Sequence, residues 1–357
     1  MPVATFRGVV ARSVAAVALS GAVASAVLPA ASAASVRDQA APSSWKVVRD
    51  LGGKNVAAFA PVSASSAWVF EQQDTNLPRP TAWLVNGSAV TKYPFPAGAA
   101  DYMTGAEAAG PDNVWAFSLH QVYAWNGSSW RVMRTFSQSV YLSSVLPLGQ
   151  HSALLFGAAQ TLYYNGTSWS AERSGSGLED ASALSATSAW AVSHASDVAH
   201  WNGRTWTKTS LTRLLPPSPV LCHYDLTGID AVSARNVWVL ASGNCQDAGG
   251  PLLLLHYNGH SWAKAPLTGT YGTAYGAAAD GNGLWLSVSR GAGAGSAFYR
   301  YSAGRLTAVK LPVPSTPLIL LTPPAATTGS HPVTYLLATT LTALYVHPTA
   351  YLLRYGA

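Results

Sequence analysis

The chain has 357 residues and a formal charge of +6, with 10% of residues charged and 49% hydrophobic. Its 21 Lys and Arg form no run, and so mild and scattered a positive balance excludes a nucleic-acid reader. Few charges beside 13 Trp and 16 Tyr suit a fold that packs charge-poor faces against one another.

Residues 1–33 read as an export signal. Arg7 and Arg12 form a basic n-region, Val14 to Leu28 an apolar h-region, and Ala31-Ser32-Ala33 a small-residue cleavage pattern. No twin-arginine pair and no lipobox cysteine accompany it. A polar leader, 34–43, follows, and one domain is expected over 44–357. No later run reads as a membrane span: the apolar stretch Thr334 to Leu353 is interrupted by Thr, His347 and Pro348 and suits strands better.

Ser44-Trp45-Lys46-Val47-Val48 has the pattern of a closing strand with nothing before it. From there the chain repeats one unit, seen most fully in Asn113 to Trp130, NVWAFSLHQVYAWNGSSW. Val114 to Phe117, Val122 to Trp125 and Trp130 to Met133 are short runs of strand formers. Asn126-Gly127 between the last two predicts a type I′ hairpin turn. The hairpin recurs at Asn86, Asn165, Asn202 and Asn258, each followed by Gly, and in degenerate form at Ser302 to Leu306. Successive copies end at Val90, Trp130, Trp169, Trp206, Trp262 and Leu306, which lie 40, 39, 37, 56 and 44 residues apart. The opening aromatic repeats as Trp68, Trp115, Trp190, Trp238 and Trp285, with Leu154-Leu155 in the third copy.

Upstream of each opening residue runs a strand of small residues, such as Met103 to Ala106, suited to crowding about an axis. Four strands per unit, A to D from inside outward, with a period near 40, predict an all-β, seven-bladed β-propeller. Tyr351 to Gly356 lacks a partner after it, so the N-terminal strand is expected to close the last blade. The Pro-rich stretches Leu214 to Pro219 and Pro312 to Pro324 read as D-to-A connections.

The Gly-x-x-Trp hairpins Gly127 to Trp130, Gly166 to Trp169, Gly203 to Trp206 and Gly259 to Trp262 resemble those of Asp-box propellers and, more loosely, kelch propellers. The Asp-box aspartate is replaced by Asn126, Asn165, Asn202 and Asn258, and kelch double glycines are missing. The chain also resembles the exported propellers of high-GC Gram-positive bacteria. This implies architecture only: sialidases share the Asp-box design, but no arginine cluster here matches theirs.

In a propeller the D-to-A and B-to-C loops form the face expected to bind. The 56-residue spacing enlarges blade five there, with insertions at Leu214 to Asp225 and Ser242 to Pro251. Each holds one of the chain's two cysteines, Cys222 and Cys245, and in an exported protein a disulfide is expected, adding ~3 kcal/mol by loop closure. Tyr102, Tyr141, Tyr224, Tyr271 and Tyr275 are candidates to line the funnel, as aromatic faces suited to sugar or peptide; packing between blades is the plainer reading. His223 and Asp225 share one face of a strand. Loop polar residues Gln72, Gln73, Asp74, Asn76, His194, Asp197, Asn244, Gln246 and Asp247 are further ligand contacts or plain loop polarity. Glu179-Asp180 would do acid/base chemistry or bind calcium only if both lie in a loop.

No zinc-spaced His pair, phosphate loop or nucleophile elbow occurs. No catalytic residue, cofactor or metal is therefore assigned. The expectation is a secreted monomer that binds an extracellular glycan or protein. The rivals are a glycoside hydrolase or lyase with a rim active site, and a plain scaffold.

Overall fold

The computed structural model describes residues 45–355 except 73–79, 100–102, 138–139, 150–151, 158–159, 194–195, 218–221, 246–247, 268–272, 280–282, 290–295, 315–317, 322–324, 327–332 and 342–348. The expected export signal and leader, and several candidate loop residues, lie outside these.

Seven antiparallel sheets form the molecule. Blade one comprises Val56–Pro61, Ser66–Gln72, Pro80–Asn86 and Ala89–Tyr93, and blade two Met103–Gly110, Asn113–Ser118, Gln121–Trp125 and Trp130–Thr135. Blade three holds Leu142–Gly149, Ser152–Gly157, Gln160–Tyr164 and Trp169–Ala171, and blade four Leu178–Ser185, Ser188–Ser193, Asp197–Trp201 and Trp206–Ser210. Blade five follows with Cys222–Ser233, Asn236–Cys245, Ala248–Tyr257 and Trp262–Ala265, and blade six with Thr273–Ala279, Leu284–Ser289, Ser296–Ser302 and Arg305–Ala308. Two single-turn 3-10 helices, Arg173–Gly175 and Thr212–Leu214, sit in D-to-A connections.

Blade seven closes as expected. Its B strand Thr334–Leu341 pairs with C strand Thr349–Tyr355, which pairs with Trp45–Asp50, Val47 standing opposite Leu353. Inner strands neighbour one another in cyclic order, and Ala325–Ala326 touches both Thr273–Ala279 and Val56–Pro61. The A strand of blade seven corrects the expected Pro-rich connection: Leu318–Leu321 inside it pairs with Thr334–Leu341. The inner ladder resumes beyond the following prolines, where Ala325 and Ala326 pair with Tyr335 and Thr334.

The Asn-Gly turns also differ from type I′. Four residues separate Trp125 from Trp130, and of the Asn-Gly pair only Gly127 takes positive φ, 91°. The Asn126 side-chain Oδ1 accepts N–H from Ser128 at 3.1 Å and Ser129 at 3.0 Å, replacing a backbone acceptor. Asn165, Asn202 and Asn258 do the same for the residues two and three ahead. Asparagine is chosen for its oxygen, then, as an Asx turn. The two consecutive positive φ values of a type I′ turn occur instead in the degenerate copy, at Ala303 (49°) and Gly304 (77°).

Each B-strand tryptophan packs against the next blade. Trp68 meets Trp125 and Trp130 at 4.9 and 5.2 Å, Trp115 meets Tyr164 at 5.7 Å, and Trp190 meets Tyr257 and Trp262 at 5.2 and 6.0 Å. Trp238 meets Tyr301, and Trp285 meets Tyr355 and Trp45. Tilted and edge-to-face aromatic pairs of this kind add roughly 0.5–1.5 kcal/mol beyond burial. Nearer the axis, side chains bridge strands that share no ladder. Asp180 Oδ2 accepts the Ile229 N–H at 3.1 Å, Ser182 Oγ accepts that of Ala231, and the fully buried Asp230 accepts that of Ala279.

Two histidines pack on this framework: His200 lies tilted 4.5 Å from Trp190, and His256 is stacked 4.1 Å from Trp238 with Nε2 at 2.9 Å from Asn236 Oδ1. Burial pushes both imidazoles below their ordinary value of 6.5. Folded chains therefore hold fewer protons than unfolded ones in this range, and stability is lost as pH falls below about 6.5. The melting temperature is expected to drop between pH 7 and pH 5. The double variant His200→Gln plus His256→Gln should flatten that slope in a thermal-denaturation series, and an unchanged slope would refute the assignment.

Candidate functional site

Blade five departs from the others because its ladder continues where a neighbour's would stop. Its A, B and C strands run 12, 10 and 10 residues, whereas among the described residues no other strand exceeds 8. The second insertion, Ser242 to Pro251, is thus strand wherever it is described, and the first is strand from Cys222 to Asp225, where loops were expected. Backbone pairing persists from Leu226–Ala241 out to Cys222–Cys245, which satisfies the N–H and C=O groups of residues that would otherwise need solvent. The third strand follows through Ser242–Leu252, Asn244–Gly249 and Cys245–Ala248, with a bulge between the first two pairs. Because strand A starts on the D-to-A side, this three-stranded extension rises from the loop face.

The extension gathers several candidates. His223 is exposed, and its Nε2 lies 3.4 Å from Asp225 Oδ2, so the two do share a face. Tyr224 is half-buried on the other face, and burial pushes its phenol above 10. Asn244 stands opposite His223. Cys222 and Cys245 are direct backbone partners; their side chains are outside the described set, as is that of Asn244. At the root of the extension Ser242 Oγ accepts the Ala274 N–H of blade six at 3.1 Å, fixing it to its neighbour.

The other candidates do not join this group within the described residues. Tyr141 precedes the A strand of blade three, 55% exposed, its ring 5.6 Å from His120, whose Nδ1 contacts the Val140 carbonyl. Asp197 opens the C strand of blade four, where its N–H donates to Ser193 Oγ. Tyr275 lies within the A strand of blade six, its side chain undescribed. Tyr102, Tyr271, Gln73, Asp74, Asn76, His194, Gln246 and Asp247 fall outside the described residues, and Gln72 ends a B strand. Glu179 sits at a bulge between Leu178 and Asp180, and Asp180 is engaged with the Ile229 N–H. Among the described residues no three His, Cys, Asp or Glu are grouped to hold a metal ion.

One polar group escaped notice in the sequence. Glu71 Oε2 accepts from Trp83 Nε1 at 2.9 Å and from Lys54 Nζ at 3.4 Å, while Lys54 lies 4.4 Å over the Trp83 ring. Nothing local signals it, since the three residues sit on different elements of blade one and its approach.

No family model and no curated protein matches the chain. Solved structures do. YCF48 from Cyanidioschyzon merolae is 13% identical over 87% of this chain and 98% of its own, with a TM-score of 0.55. The extracellular domain of the putative one component system BT4673 from B. thetaiotaomicron is 9% identical over 86% of this chain and 39% of its own, also at 0.55. A YCF48 bound to D1 peptide is 10% identical over 72% of this chain and 97% of its own, at 0.46. At these identities the likeness is one of fold: the chain is a seven-bladed β-propeller. Among the described residues no helix is long and apolar enough to cross a membrane.

Proposed function

We propose that this is a secreted, non-enzymatic propeller that binds an extracellular protein or polysaccharide through its loop face, with the blade-five extension as the principal contact. The observation that carries the reading is the continuous pairing from Leu226–Ala241 to Cys222–Cys245, which lifts His223 and Tyr224 clear of the ring on a rigid ladder. Rigid presentation of an aromatic and an imidazole lowers the entropy lost on binding. A Cys222–Cys245 bridge across that ladder would stiffen it further in an oxidising compartment, and the export-signal pattern at residues 1–33 supplies such a compartment. The hydrolase reading is weakened by the inner-strand acids, since Asp180 and Asp230 hold neighbouring blades together.

Screening the mature protein against a glycan array and a panel of extracellular proteins identifies the ligand. The double variant His223→Ala plus Tyr224→Ala should then lose about tenfold or more in affinity with the fold intact by circular dichroism. Full retention of binding by that variant would remove the extension from the site.

A further inference from the structure

Charge in the ring is sorted by distance from the axis. The A strands contain Glu107, Glu179, Asp180, Asp225 and Asp230 and no Lys or Arg. The D strands reverse this, with eight Lys or Arg against Asp50 alone. In the residue order these bases look scattered, because they recur about once per repeat. On the ring, that recurrence sets Lys46, Lys92, Arg131, Lys208, Lys264 and Arg305 on the outer strands of blades seven, one, two, four, five and six. Blade three has no such base, its D strand Trp169–Ala171 being only three residues long. Each of the six lies within the first four residues of its strand, on the half of the perimeter next to the C-to-D turns. All six are exposed, and among the described residues none forms an ion pair with a carboxylate.

We propose that this belt binds a linear anionic polysaccharide laid along the perimeter. Blades radiate from an axis and are farthest apart at their outer strands, so the six bases do not converge on one small anion. A flat membrane meets one arc of a circular rim, whereas a flexible chain can follow its curve. Salt limits the reach of each exposed charge to about 8 Å at physiological strength, so affinity has to come from many weak contacts along one chain. The acids that could oppose the belt lie mostly on inner strands, where Asp180 and Asp230 accept backbone N–H groups of the next blade. Asp112 lines one hollow with Arg131, so that base counts for less than the other five. Lys208 Nζ donates to the Ser176 carbonyl at 2.6 Å and Lys92 lies 5.5 Å from the Trp83 ring, contacts that leave both charges unneutralised. This surface is separate from the loop face and the blade-five extension, and its occupancy is independent of what the extension binds.

The probes are dextran sulfate, uncharged dextran of the same length, and vesicles of phosphatidylglycerol and phosphatidylcholine, each titrated with the full mature protein. Dextran sulfate is expected to bind at low salt and to weaken steeply as sodium chloride is raised, while plain dextran does not bind. The triple variant Lys46→Gln, Lys92→Gln and Lys264→Gln should lose about tenfold or more in affinity and show a flatter salt dependence. A matched triple, Arg173→Gln, Arg213→Gln and Lys310→Gln, removes three exposed charges from the D-to-A connections and should lose less than about threefold. Both triples should melt within about 2 °C of the parent, since all six sites are exposed. Equal losses in the two triples would overturn the proposal, because net charge rather than the belt would then govern binding. Absence of dextran sulfate binding would overturn it too, as would tighter binding to the vesicles than to the polymer.

Discussion

Replacing Trp45 with alanine is expected to lower the melting temperature by about 5–10 °C, the largest single-residue effect in the ring. The reason is its place in the closure. Trp45 is 7% exposed, with Trp285 and Phe298 edge-on at 5.2 and 5.1 Å and Tyr355 at 5.6 Å. Truncating a tryptophan so enclosed costs about 3–5 kcal/mol, a large share of the roughly 5–15 kcal/mol that separates folded from unfolded domains. Two blades feel the loss at once, since the indole joins the closing strand of blade seven to the face of blade six. Val47, one pleat along and 40% exposed, is the control; Val47→Ala should stay within about 0.5 kcal/mol. Equal melting temperatures for the two variants would show that the closing strand holds by its backbone ladder alone.

The second large effect concerns Asp230. It is fully buried in the inner strand of blade five, takes the Ala279 N–H of blade six, and stands 3.4 Å from Ser182 Oγ of blade four. One carboxylate thus ties three blades where no strand ladder connects them. Asp230→Ala leaves a buried N–H without its acceptor and is expected to cost about 2–3 kcal/mol in a urea titration at unchanged m value. Asp230→Asn keeps an oxygen toward the same donor and should lose less than half as much. If alanine and asparagine behaved alike, the charge rather than the acceptor would be what matters.

What the residue order revealed, and what it hid, follows the range of the forces involved. The Asn-Gly hairpins and their Trp residues were legible because each is a local device within five positions, although the Asn contribution proved to be its side-chain oxygen and not its tolerance of positive φ. The closing strand was legible because its lone pattern at Trp45 matched the gap after Tyr355. Leu318–Leu321 was hidden: its prolines signal a connection, and its pairing with Leu341 to Ala338 is visible only once the sheet is assembled. At the candidate site the enlargement of blade five showed in the 56-residue spacing, but the spacing is equally compatible with loop or ladder. Only the pairing of Cys222 with Cys245 decides it. The acceptor roles of Asp180 and Asp230 join residues 49 positions apart, where no pattern in the residue order reaches.

The closing strand has a directional consequence. Trp45 pairs with Tyr355, the end of a C strand, so it lies at the level of the C-to-D turns, and the strand then climbs to Asp50 toward the opposite rim. The ordered ring is therefore entered from the underside, at the perimeter. The blade-five projection stands on the opposite rim, so that point of entry leaves it unobstructed.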